Sequence, residues 1–158
     1  MMTACANDKN PFLQEWDTPY GIPPFEKITL ADYIPAIKVG IERQEKELQA
    51  ILDNPEAPTF QNTIDTYENS GEILDKVTGV LFNLQETEGS DEMDKVAEEA
   101  TELLTRHENA ISMNKKFFER VKAIYEADQS ALTRERQMVL KNLYKSFTRA
   151  GVGLDEAS

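Results

Sequence analysis

The apolar side chains of this sequence recur at steps of three and four over more than a hundred residues, and that spacing admits little except helix. Tyr33, Ile37, Ile41, Leu48 and Leu52 form one such face, flanked by Ile34 and Ile51. Phe60, Ile64, Tyr67, Gly71, Leu74, Thr78 and Leu81 form a second, widened by Ile73, Val77, Val80 and Leu84. Met93, Val96, Ala97, Ala100, Leu103, Leu104, His107 and Ile111 continue the rhythm. Phe117, Phe118, Val121, Ile124 and Tyr125 follow, and then Val139, Leu140, Leu143, Tyr144 and Phe147. No stretch alternates for long enough to read as a strand. The fold class is therefore all-α, built as antiparallel helical hairpins of about five helices joined by short loops.

Local punctuation sets the boundaries. Thr29 or Asp32 caps the first helix, which places Pro35 in a first turn that has no amide bond to lose, and Asn54-Pro55 stops it. Thr59 caps the second, where Gly71 in the middle of an apolar face implies a close helix crossing, since glycine there costs about 1 kcal/mol of helix propensity against alanine. Gly89-Ser90-Asp91 breaks the pattern and caps a third helix. A fourth spans about Asn114 to Glu126 with its lysines and arginine facing water, and a fifth starts near Leu132 and ends at Gly151 and Gly153. Ahead of the helices, residues 6–28 hold four of the seven prolines, Pro11, Pro19, Pro23 and Pro24, interleaved with Phe12, Trp16, Tyr20, Ile22 and Phe25. Such density blocks helix and central strand alike, whereas the aromatics argue against a solvated tail. The expected layout is a leader over 1–9, an extended packing arm over 10–28 and a helical domain over 29–154.

Charge narrows the function. Lysine and arginine number 17 against 29 for aspartate and glutamate, a net charge of −12 over 158 residues. Nucleic acid is excluded as an expected partner, because phosphate contacts need a basic footprint. The charge is also unevenly spread: residues 86–102 carry net −7 and residues 115–149 carry net +5. One cysteine rules out an internal disulfide, and one histidine rules out any site that needs two. No run of about 20 apolar residues is present to span a membrane.

The remaining places where chemistry could sit are few. His107-Glu108 hints at a zinc helix, but position 111, where a second imidazole would share the metal, is Ile111, so a half-buried structural histidine beside Leu103 and Leu104 is expected. Glu98 and Glu99 diverge around a helix. Glu88, Asp91, Glu92 and Asp94 gather at a helix start, where the exposed amides favour negative charge. Gly151-x-Gly153 is too short for a phosphate loop and follows a helix. The tyrosines and phenylalanines read as core, with a channel wall left open for the exposed ones. No catalytic, cofactor-binding or metal residue is assigned in this chain.

A family resemblance adds to this reading. Ala57-Pro58-Thr59-Phe60-Gln61-Asn62-Thr63-Ile64, followed by Tyr67-Glu68-Asn69-Ser70-Gly71 and Leu74, resembles the helix opening in the N-terminal region of the thimet oligopeptidase family of zinc peptidases. Asn10-Pro11-Phe12, Pro23-Pro24-Phe25-Glu26-Lys27-Ile28 and Asp32-Tyr33-Ile34-Pro35-Ala36 resemble its bacterial peptidyl-dipeptidase branch more closely. His107, Ile111, Asn114, Phe117 or Phe118, Arg120-Val121-Lys122 and Ile124-Tyr125 continue the likeness in order, so it covers about residues 10–154. The resemblance implies a much longer all-helical enzyme, in which His-Glu-x-x-His and a later glutamate hold one zinc ion that activates water against a peptide bond. That metal helix lies outside this chain. It further implies that this stretch is a non-catalytic helical wall around a channel for short peptides, with the C-terminal catalytic part of the same polypeptide as its partner. The alternative is a stand-alone helical adaptor or peptide-binding protein without enzymatic activity. In isolation, surface meant for the missing part is expected to drive self-association.

Met1-Met2-Thr3-Ala4-Cys5 reads either as the tail of a trimmed bacterial lipoprotein signal or as an ordinary leader. The first reading places the protein in the cell envelope or periplasm, lipid-anchored through Cys5. The second leaves a cytoplasmic location.

Overall fold

The structure is a computed structural model that describes residues 9–153. Five long helices organise it: α1 (Leu30–Leu52), α3 (Glu72–Glu88), α4 (Asp91–Ser112), α5 (Lys115–Glu126) and α6 (Arg134–Ala150). Between α1 and α3, a wide π turn over Phe60–Asp65 runs into the single turn α2 (Thr66–Glu68). Two 3₁₀ turns, Pro11–Leu13 and Pro19–Gly21, lie ahead of α1. No strand occurs among the described residues, so the all-α expectation holds.

The chain divides into two compact units. Met1–Gln44 and Gly71–Thr105 form the first, and Glu45–Ser70 and Arg106–Ser158 form the second. Leader residues 1–8, Cys5 among them, lie outside the described residues, as do residues 154–158.

In the first unit, Tyr33, Ala36 and Ile37 of α1 meet Ile73, Leu74, Val77, Val80 and Leu81 of α3 and Ala100 of α4, with Phe12 inserted from the N-terminal segment. Phe12 is held from both sides. Asn10 Oδ1 accepts from the Phe12 amide at 3.0 Å while Asn10 Nδ2 donates to the Asp32 carbonyl at 2.9 Å, and the Phe12 ring lies 5.2 Å from that of Tyr33. Trp16 donates to the Pro11 carbonyl at 3.0 Å and carries the Lys76 ammonium over its ring at 5.2 Å. Further along the same segment, Tyr20, Ile22 and Phe25 are exposed.

Two backbone breakers, Pro35 and Gly71, sit otherwise than their sequence context predicts. Thr29 donates through its amide and its hydroxyl to Asp32 Oδ2 at 2.7 and 2.9 Å, which starts α1 at Leu30. Pro35 consequently sits beyond the first turn, where it does remove a helical bond. Ala31 and Pro35 are both exposed, so water can serve the Ala31 carbonyl. Gly71 is not the centre of a continuous helix either. It has φ +75°, a left-handed conformation that ends one helical segment and opens the next, and a Cβ there would lie 2.7 Å from the Gln44 side-chain nitrogen. The close crossing belongs instead to Gly40 of α1, where a Cβ would lie 2.9 Å from Leu74.

The second unit is packed with rings. Phe117 meets Tyr67 at 4.8 Å and Phe147 at 5.2 Å, both edge to face, the offset geometry that aromatic quadrupoles favour. Phe60, Ile64, Ile111, Val121, Ile124, Leu140 and Val152 complete the core. The caps follow from sequence. Asn114 accepts from the Phe117 amide at 3.0 Å to start α5, Thr133 accepts from the Arg136 amide at 3.3 Å to start α6, and Gly151 closes α6 at φ +83°.

Candidate functional site

The polar residues of the Ala57–Ile64 segment form one network centred on Asn62. The Asn62 amide donates to Thr59 Oγ1 at 3.0 Å and the Thr59 amide donates to Asn62 Oδ1 at 2.9 Å, a reciprocal capping box. Asn62 Nδ2 also donates to the Ala57 carbonyl at 2.9 Å. Arg120 of α5 then closes the network. Its three guanidinium nitrogens donate to Thr63 Oγ1 at 3.2 Å, the Asn54 carbonyl at 3.2 Å and Asn62 Oδ1 at 3.3 Å. Arg120 therefore does not face water as expected. It lies on the same helical face as Phe117, Val121 and Ile124, and that register is the signal that would have placed it inside. The segment that carries the family resemblance is thus a structural clasp whose planar fork fits three acceptors at once.

Beside this clasp, α5 and α6 build a ring-lined surface. Tyr125 and Tyr144 stack with centroids 4.1 Å apart and planes 2° from parallel. Phe118 lies 5.8 Å from Tyr144 and 5.7 Å from Phe147. A hollow of about 270 Å³ is lined by half-buried Phe118 and Tyr144 and by buried Val152, with Lys115, Glu119, Lys122 and Thr148 around them. A more open hollow of about 340 Å³ meets Tyr125, with Arg134, Lys141, Gln137 and Met138 among its lining residues. Gln137 is fixed there by donating to the Gln129 and Leu132 carbonyls at 3.0 and 3.2 Å. The sequence reads the phenylalanine and tyrosines of α5 and α6 as core, with a channel wall open for any that are exposed, and does not say which ones are. Their partial exposure beside lysines depends on how the two helices pack.

The other singled-out residues stay apart. His107 is 6% exposed, deeper than the half-buried position expected, and lines a hollow of about 200 Å³ with Glu45, Leu48, Leu52 and Ile111. Its Nδ1 lies 3.9 Å from Glu45 Oε1. Burial holds the imidazole below its ordinary range, against the opposing pull of Glu45 and Glu108. Glu98 lies with Asp94 and Glu102 along an open acidic dip of the first unit, while Glu99 is exposed. Asp91, Glu92 and Asp94 occupy the first turn of α4, where Ser90 Oγ accepts from the Met93 amide at 3.2 Å. The residues present do not fit a zinc ion: apolar side chains crowd the one histidine, Glu45 is the one carboxylate lining its hollow, and no group of three His, Cys, Asp or Glu is gathered among the described residues. No described helix is long and apolar enough to cross a membrane.

An all-helical chain carrying the Thr59, Asn62 and Gly71 segment belongs to the peptidase family whose N-terminal domain is described as Neurolysin/Thimet oligopeptidase, N-terminal domain; the match runs over residues 37–158. The dipeptidyl carboxypeptidase of Escherichia coli strain K12 is 34% identical over 149 residues, 94% of this chain and 22% of that protein. The dipeptidyl carboxypeptidase of Salmonella typhimurium is 32% identical over 148 residues, with 93% of this chain and 22% of that protein covered. Oligopeptidase A of Escherichia coli is 20% identical over 146 residues, 92% of this chain and 21% of that protein. The chain thus spans about a fifth of the length of these curated relatives, and the dipeptidyl carboxypeptidases resemble it more than oligopeptidase A does.

Proposed function

We propose that this chain is the non-catalytic N-terminal helical part of a zinc-dependent peptidyl-dipeptidase, where it forms part of the wall of a channel that admits short peptides. The family match over residues 37–158 carries the reading, supported by relatives named dipeptidyl carboxypeptidase at 34% and 32% identity. Zinc and the groups that act on the peptide bond belong to the catalytic part of the same polypeptide. A chain with one histidine cannot contain a helix motif that takes two. Mixed with zinc and short peptides, the 158-residue chain is expected to give no turnover that scales with its concentration.

The intact mass of the native gene product tests the reading. A product about 4.3 times the mass of this chain, as 149 matched residues making up 22% of the relative imply, with zinc-dependent release of dipeptides, supports it. A product of this chain's own size would sink it and leave the helical adaptor. We further propose, on the strength of Thr3-Ala4-Cys5, an envelope location with a lipid on Cys5. A diacylglyceryl adduct on that residue is the expected result, and an unmodified thiol in the native protein would overturn it.

A further inference from the structure

The ring-lined surface of α5 and α6 has a charge opposite to that of the chain as a whole. Four cationic side chains, Lys115, Lys122, Arg134 and Lys141, line its two hollows, against the single carboxylate of Glu119. The chain carries net −12. Apolar walls lie directly beside these cations. The smaller hollow is bounded by Phe118, Tyr144 and Val152, and the Tyr144 ring is fixed by its parallel stack on Tyr125 at 4.1 Å. At about 270 Å³ the hollow falls just under the range of about 300–1,000 Å³ that encloses a whole small molecule. It suits one aromatic or aliphatic side chain.

We propose that this face of α5 and α6 binds a short acidic peptide, which lays one apolar side chain into the Phe118–Tyr144–Val152 hollow and sets its flanking carboxylates against Lys122 and the neighbouring cations. In an extended peptide, side chains alternate in direction and residues two apart share a face about 6.6 Å along, so carboxylates two positions to either side of a docked ring can reach a rim of cations. A polyanion without an apolar group would meet the lysines and leave the hollow empty. The low-dielectric ring walls strengthen the attraction compared with open water. This inference goes beyond the peptidase reading and does not depend on it, since binding here needs neither zinc nor a catalytic part.

Titration of the ¹⁵N-labelled 158-residue chain with acetyl-Asp-Ser-Phe-Ser-Asp-amide, followed by amide shifts, tests the proposal without recourse to activity. Saturating shifts centred on Phe118, Lys122, Tyr144 and Gly153 are expected, weakening with added salt. Acetyl-Asp-Ser-Ala-Ser-Asp-amide should bind at least about tenfold more weakly, from the apolar area it cannot bury. Acetyl-Lys-Ser-Phe-Ser-Lys-amide should give no saturating response at this face. Lys122→Glu should weaken the acidic peptide about fivefold or more. Gly153→Leu should narrow the hollow from its edge, where a Cβ stands 3.4 Å from Phe118, and weaken the acidic peptide, with the variant's amide spectrum checking that the fold is kept. Shifts located elsewhere, equal binding of the acidic and basic peptides, no effect of either variant, or an equal response at these residues to inorganic polyphosphate would each overturn the proposal.

Discussion

The two units solve the same packing problem with different side chains. The first fills its interior chiefly with branched aliphatic residues, Ile37, Ile73, Leu74, Val77, Val80 and Leu81, around Phe12 and Tyr33. The second relies on Phe60, Phe117 and Phe147, bordered by half-buried Tyr67, Phe118, Tyr125 and Tyr144. Branched chains adapt to a gap between helices. Rings are rigid and meet at fixed angles, such as the 89° between Phe117 and Phe147, and at the rim of a core they leave concave ground. Charge divides in the same way, because the net −7 stretch over residues 86–102 belongs to the first unit and the net +5 stretch over residues 115–149 belongs to the second. The concavity in the first unit around Asp94, Glu98 and Glu102 is open, and Ala97 is the sole apolar side chain lining it. Recognition of an anionic, partly apolar ligand is therefore a property of the second unit.

The largest expected effect tests the aromatic core itself. Phe117 is fully buried between Tyr67 and Phe147, and rigid neighbours collapse poorly into a vacated ring. Phe117→Ala should cost about 3–5 kcal/mol. Denaturant unfolding monitored by tyrosine fluorescence, with amide exchange over α5 and α6, measures it. A cost below that of Leu81→Ala in the aliphatic core would contradict the contrast between the two.

Next in size is the clasp. Arg120→Met keeps the aliphatic stem and removes three donors, leaving buried Thr63 and the Asn54 carbonyl short of partners, at a cost of about 2 kcal/mol. Arg120→Lys should recover less than half of that, because a single ammonium cannot reach three acceptors arranged for a fork. Full rescue by lysine, in the same unfolding measurement, would mean that charge and not geometry holds the segment.

Glycines in the first unit sharpen the comparison at a smaller scale. Gly40→Ala drives a methyl toward Leu74 at 2.9 Å and should destabilise by about 1–2 kcal/mol even after its gain in helix propensity. Gly79 of α3 is exposed, and a Cβ there meets nothing within 4 Å. Gly79→Ala should stabilise by up to about 1 kcal/mol. Opposite signs in thermal melts would establish that α1 and α3 touch as closely as the structure has them.

Much of this arrangement was readable in the chain, because helix formation depends on local spacing and local caps. The periodic stripes gave five long helices, and Thr59, Ser90, Asn114 and Gly151 act where their side chains or backbone freedom place them. Gly71 was misread because an apolar stripe runs through it without a break, although Asn69 and Ser70 just ahead of it mark a helix end. Asn69 Nδ2 indeed donates back to the Asp65 carbonyl at 2.8 Å. Arg120 was misread because its type suggests solvent while its register suggests core. The hollow could not be read at all. Phe118 and Tyr144 lie far apart in the chain, and their partial exposure is a tertiary fact.

The smallest effect comes from His107, the one imidazole of the second unit. Burial lowers its pKa in the folded state, whereas Glu45 and Glu108 act in the opposite sense and limit the shift. A group whose folded pKa lies below its unfolded value binds more protons when unfolded. Stability from the neutral imidazole is therefore fully present above about pH 6.5, the unfolded value, and is lost as pH falls through that point toward the folded pKa. Carboxylates titrate lower, so the window just below pH 6.5 isolates the histidine. His107→Gln, a neutral replacement of similar reach, should flatten the stability profile in that window while leaving the slope at lower pH unchanged. Denaturation midpoints taken at half-unit steps from pH 7.5 to 5.0 measure it. A wild-type midpoint that rises as pH falls through this window would mean that Glu45 outweighs burial and that the imidazole is charged in the folded protein.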